Sequence, residues 1–159
     1  LGVANPRRPR IGFGFPDDPP RGDPDAFRAR PGISSPVLLY SGRLEQAKNV
    51  PLLLDWFARF KDERPGPLTL ALAGTGDVAI PPRPDVVALG MIADHAQLTD
   101  AYAAALALCQ PSLNESFSIV IMEAWLQGRP VLVHAGCAVT RDHVERGGGG
   151  YAPGDYAAF

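Results

Sequence analysis

Residues 110–130, QPSLNESFSIVIMEAWLQGRP, decide how the rest of the chain is read. They predict a polar loop feeding a helix that opens near Phe117 and is buried nearly all round. Phe117, Ile119, Val120, Ile121, Met122, Ala124, Trp125 and Leu126 leave that helix almost no polar face. Gly128 and Pro130 predict its end, with glycine at the C-terminal cap and proline just beyond. Inside the apolar run stands one carboxylate, Glu123. Ionised and out of water, it needs a hydrogen-bonding partner or a ligand. Glu115 precedes it in the polar loop, beside Asn114, Ser116 and Ser118.

A helix start rich in small polar residues offers unpaired backbone N–H groups and the positive end of the helix dipole, which together favour anions and phosphate above all. With Phe117 opening the helix, Glu123 lies roughly 9 Å further along the axis. That is the span from a diphosphate to the ribose of one nucleotide. Two plainer readings fit the same letters. Ser112-x-x-Glu115 matches a capping box, in which Glu115 satisfies a backbone donor, and Glu123 matches one half of a buried ion pair with an arginine.

Outward from this stretch, short apolar runs alternate with amphipathic ones. Residues 37–41, 68–73, 86–89, 106–109 and 131–133 predict buried strands. A helix is predicted from Asn49 or Val50, with Pro51 in its first turn and Leu53, Trp56, Phe57 and Phe60 as the core-facing stripe. Another runs from about Asp94, a plausible N-cap, to Ala105. Strands alternating in this way with helices define βαβ units and a doubly wound parallel sheet, Rossmann-like in class. Ligands of such sheets sit beyond the carboxyl ends of the strands. On that edge fall Gly42-Arg43, Gly74-Thr75-Gly76, Gly90-Met91-Ile92, residues 112–118 and Ala135-Gly136. The glycines there would let backbone approach a ligand closely. Gly74-Thr75-Gly76 does not complete the dinucleotide pattern Gly-x-Gly-x-x-Gly.

Residues 1–35 differ in texture. Proline, glycine, arginine and aspartate dominate, and such a segment builds no core alone, so it reads as irregular linker. Residues 11–15 allow one very short strand. Asp23-Pro24-Asp25 matches an Asp-x-Asp metal motif in letters but lacks a flanking strand. The chain of 159 residues is 46% hydrophobic with a net charge of −2, which suits one core-bearing unit with no strong pull toward nucleic acid or membrane. No apolar run is long enough to span a bilayer. Cys109 and Cys137, and the scattered His95, His134 and His143, show no metal-ligand spacing, and a reduced cytosolic compartment is the default.

At Ser41-Gly42-Arg43-Leu44 with Lys48-Asn49, Ala73-Gly74-Thr75-Gly76, Leu89-Gly90, residues 111–118, Glu123-Ala124 and Gly128-Arg129-Pro130-Val131, the chain resembles the C-terminal half of a GT-B glycosyltransferase. More narrowly it resembles family 4, whose members are retaining hexosyltransferases. The resemblance runs from about residue 37 to 145, in the family's order. It implies a donor-binding domain over residues 36–159, truncated at its C-terminus, with residues 1–35 as the remnant of a connection to a missing N-terminal acceptor domain. It implies a UDP- or GDP-linked sugar as donor substrate, no cofactor, no metal, and an unknown sugar, lipid or small-molecule acceptor. Arg43 and Lys48, beside Gly42, would hold the donor diphosphate and offset charge on the leaving group. Glu115 would stand by the transferred sugar, and Glu123 would bind the ribose hydroxyls. Ser116, Phe117, Ser118 and Ile119 would meet the phosphates, Gly74 would approach the ligand, and Met91 and Ile92 would border the base. Where the family often has glycine, this chain has Ser116 and Ser118. The fragment alone is expected to bind weakly and transfer nothing. The alternatives are a non-catalytic sugar-nucleotide-binding module, a GT-B phosphorylase or epimerase, and a NAD-dependent oxidoreductase, the last disfavoured by Arg43 where a glycine fingerprint belongs.

Overall fold

In the computed structural model, residues 18–33 and 36–159 are described. The strand allowed over residues 11–15 lies outside them. Six strands form one parallel sheet: β1 (Val37–Ser41), β2 (Thr69–Ala73), β3 (Val86–Gly90), β4 (Ala107–Gln110), β5 (Val131–Val133) and β6 (Gly150–Tyr151). Their order is β3-β2-β1-β4-β5-β6. The five strands read from the sequence are all present: β1, β2 and β4 are buried along their whole length, which demands apolar runs, whereas β3 at the sheet's edge is only partly covered.

Alternation along β1 splits the core into two layers. Val37 and Leu39 face one side, with Leu108, Val131 and Val133, under helices α3 (His95–Ala104), α4 (Ile119–Leu126) and α5 (Ala138–Gly147). Leu38 and Tyr40 face the other side, with Leu70, Leu72 and Cys109, under α2 (Val50–Glu63). The stripe of α2 is rotated from the expected one. Val50, Leu53, Leu54, Phe57 and the stem of Lys61 are buried, whereas Trp56 and Phe60 are only partly covered.

Residues 24–28, expected to be irregular, form the short helix α1 (Pro24–Arg28). Its cap is Asp23, whose carboxylate accepts from the N–H groups of Asp25 and Ala26, while Asp25 pairs with Arg28 at 3.2 Å. Both carboxylates of the Asp-x-Asp letters are therefore engaged in local structure. Phe27 alone anchors this helix in the core. Asp94 caps α3 as expected, accepting from Ala96 N–H at 2.9 Å.

Cys109 and Cys137 are free and buried. Cys109 borders a small apolar crevice with Trp56, Leu132 and Phe159, and burial pushes its thiol up to about 12. A thiol so protonated is a poor nucleophile. Cys109 should therefore resist a disulfide reagent at pH 8 in native buffer and react once denaturant is added. A fast native reaction mapped to Cys109 by mass spectrometry would contradict this burial. Among the described residues no three His, Cys, Asp or Glu side chains cluster as metal ligands, and no helix is long and apolar enough to cross a membrane.

Candidate functional site

The strand order reverses between β1 and β4. The chain leaves β1 toward β2 on one side and leaves β4 toward β5 on the other, so their carboxyl ends part and open a crevice. Two ties cross it. Asn49 Nδ2 donates to the Pro111 carbonyl at 3.0 Å, and Lys48 Nζ donates to Glu115 Oε1 at 2.7 Å. The resulting cleft, about 420 Å³, is walled by Lys48, Gly42, Gln110, Glu115 and residues 116–120, which lead into α4. Lys48 is 24% exposed and Glu115 9%, so this pair is poorly screened. The cleft thus brings together one cation, one carboxylate and the positive end of a helix.

The capping box is not formed. Ser112 Oγ donates to the Asn114 carbonyl, and Glu115 takes Lys48 instead. The helix opens at Ile119 rather than Phe117, with Ser118 as N-cap, which shortens the axial offset to Glu123 to about 6 Å. Nor is α4 buried all round. Ile121 and Ala124 are fully buried against the sheet, but Ile119 is 46% and Leu126 36% exposed, because the helix meets the sheet along one side. Its end is as expected, with Gly128 in the left-handed region and its N–H on the Trp125 carbonyl at 2.8 Å.

Across Ser41 and Gly42 the cleft adjoins a second hollow lined by Arg43, Gly74, Thr75, Met91 and Ile92. Arg43 is 70% exposed and its Nη1 donates to Glu45 at 2.8 Å, outside the cleft of Lys48. Two of the glycines on this edge, Gly74 and Gly76, make room for neighbouring backbone. A Cβ on Gly74 would lie 1.8 Å from the Gly42 carbonyl oxygen, and one on Gly76 2.1 Å from that of Leu44. Those close approaches let Gly42 N–H reach the Ala73 carbonyl and Leu44 N–H the Thr75 carbonyl, which extends the β1–β2 pairing into the loops.

Glu123 lies in a third hollow, with Tyr102, His95 and Thr99, and not in the cleft with Lys48. Its partner is Tyr102, not an arginine: the phenol donates to Glu123 Oε2 at 2.8 Å. Burial first, then the Glu123 charge, holds the Tyr102 hydroxyl well above the usual phenol range, so it stays a donor. The structure therefore gathers Gly42, Lys48, Glu115, Ser116, Phe117, Ser118 and Ile119. It sets Arg43, Gly74, Met91 and Ile92 alongside, and Glu123 apart.

Sequence reasoning missed Tyr40, Tyr102, Gln110 and His143. Tyr40 donates to the Arg43 carbonyl at 2.6 Å and steadies the loop after β1. His143 Nε2 lies 2.8 Å from the Phe117 carbonyl, with its ring edge-on to Phe117. Tyr40, Tyr102 and Gln110 each read as an isolated polar residue on an apolar stretch, and His143 as one polar residue among the charged Arg141, Asp142 and Glu145. A polar group ending a buried strand, as Gln110 does, is the signal that was available.

A parallel sheet wound in both directions from a switch point, with a cleft there, defines a Rossmann-like α/β domain of the kind found in GT-B glycosyltransferases. The family model of Glycosyl transferases group 1 matches residues 35–159, and the chain belongs to that family. It is 34% identical over 155 residues to a D-inositol 3-phosphate glycosyltransferase of Streptomyces coelicolor, covering 83% of this chain and 34% of that relative. It is 33% identical to a glycogen synthase of Thermus thermophilus, covering 79% and 30%. The chain thus spans about a third of the length of the curated relatives it matches. The fold is shared with Anabaena HepE in complex with UDP and glucose, at TM-score 0.68 and 23% identity over 91% of this chain and 41% of that one. It is shared also with WaaG, a glycosyltransferase of lipopolysaccharide biosynthesis, at 0.67 and 22% over 87% and 38%.

Proposed function

We propose that the chain is the donor-binding part of a retaining, metal-independent family 4 glycosyltransferase acting in the cytoplasm, which moves a hexosyl group from a nucleoside diphosphate to an acceptor. A separate N-terminal domain would hold that acceptor, a sugar, lipid or small molecule. The observation that carries the reading is the switch-point cleft, where Lys48, Glu115 and the start of α4 converge on one volume. The diphosphate lies between Lys48 and the first N–H groups of α4, and the sugar lies by Glu115. As the sugar leaves, negative charge grows on the diphosphate, and a fixed cation with helix N–H groups stabilises it without a metal. Arg43 joins by leaving Glu45. An exposed pair of that kind is worth about 0–1 kcal/mol, so the exchange costs little. Tyr102 occupies one oxygen of Glu123, and the remaining acceptor capacity suits two ribose hydroxyls. Uracil is the first base to test, since HepE is found in complex with UDP.

Titration with UDP, GDP and NAD examines the reading directly: binding of a nucleoside diphosphate supports it, and a preference for NAD removes it. Glu123→Ala should weaken UDP or GDP by about tenfold while scarcely changing inorganic diphosphate. Equal losses for both ligands would show the ribose assignment to be wrong.

A further inference from the structure

Helices α2 and α4 both start at the cleft, and their N-caps differ from the other capped helices. Asp23 and Asp94, which cap α1 and α3, are extended, at φ −95° and −77°, and their carboxylates accept from first-turn N–H groups. Asn49 and Ser118, which cap α2 and α4, are left-handed, at φ 57° and 64°. Among the described residues these are the two non-glycine residues with positive φ. Neither side chain caps its helix. Asn49 spends its amide on the Pro111 carbonyl, and Ser118 Oγ accepts from Gln110 Nε2 at 3.1 Å.

Gln110 closes β4, is 5% exposed and lines the cleft. Its Oε1 is buried with no hydrogen-bond partner among the described residues. An unpaired buried acceptor and a left-handed serine both cost stability, and both occur in one wall of the cleft. An extended serine at that position would turn its hydroxyl onto the second or third N–H of α4 and satisfy it.

We propose that Gln110 is a positioning residue of the donor site. By taking the Ser118 hydroxyl it holds Ser118 left-handed and keeps that hydroxyl off the first turn of α4. The N–H group of Val120, which has no partner within the helix, is thereby left, beside that of Ile119, to the phosphates of the ligand. This inference rests on the donor-binding reading and adds the device that keeps the helix start open.

The test uses this chain and two probes, inorganic diphosphate and UDP, followed by calorimetry and thermal melting. Gln110→Leu should weaken both probes alike, by about tenfold. Its melting temperature should hold or rise, because the unpaired acceptor is gone and Ser118 is free to cap; a merely structural glutamine would lower it. Adding Ser118→Gly to Gln110→Leu should restore affinity for both probes, since glycine takes the left-handed conformation unaided and has no hydroxyl to compete. Unchanged binding in Gln110→Leu, a loss confined to UDP, or no recovery in the double variant would overturn the proposal. Failure of the unaltered chain to bind either probe would instead overturn the donor-binding reading, and this inference with it.

Discussion

Gly74→Ala is expected to destabilise the fold by about 3 kcal/mol, from overpacking and backbone strain of about 1–3 kcal/mol each. The new Cβ would sit 1.8 Å from the Gly42 carbonyl oxygen, at a φ of +146° that side chains rarely adopt. Its neighbour is backbone and has no rotamer by which to move aside. Relief requires the loops after β1 and β2 to separate, which breaks the bonds from Gly42 N–H to the Ala73 carbonyl and from Leu44 N–H to the Thr75 carbonyl. Set against a total stability of about 5–15 kcal/mol for a domain, this is a large fraction. Gly66→Ala is the control, because nothing lies within 4 Å of its added Cβ, and a change within about 0.5 kcal/mol is expected. Urea unfolding of both variants checks the difference. Similar midpoints would mean the loops yield freely and the close approach has no structural weight.

Lys48→Ala should reduce nucleoside diphosphate affinity by about 100-fold, or roughly 2.7 kcal/mol. It should also lower stability by about 1–3 kcal/mol, since it strands the Glu115 carboxylate without its charge partner. The two losses have different origins and can be separated. Adding Glu115→Gln removes the stranded charge, so stability should recover, whereas no cation returns to meet the phosphates and affinity should stay low. If the double variant regained both, Lys48 would be a structural partner of Glu115 and the diphosphate would need another anchor.

What was legible follows from what each residue's role depends on. The inner strands β1, β2 and β4 read correctly because burial on both faces demands apolar runs, and β3, half-covered at the sheet's edge, read correctly from its short apolar run alone. Helix α5 left no comparable trace: Thr140 and Val144 are its buried residues, too few for a stripe. Helix α1 owes its place to one side chain, Phe27, and to contacts with an element far along the chain. At the site, Lys48 and Glu115 stood out by residue type and position, but not as partners, since 67 residues separate them. Glu123 announced a need for a partner in its apolar setting. That the partner is Tyr102 rather than an arginine depends on how α3 packs on α4.

The sequence by itself determined that apolar runs and amphipathic stretches alternate, that the chain winds into a parallel sheet, and that polar loops, Glu115 among them, gather at one edge. These are properties of local pattern. Only the tertiary structure decided the strand order, and hence which two loops face each other across the switch point. It alone placed Lys48 on Glu115, pressed Gly74 against Gly42, and set Glu123 in a hollow of its own. Each of these depends on distances between residues remote in the chain, which packing of the two core layers sets and local pattern does not encode.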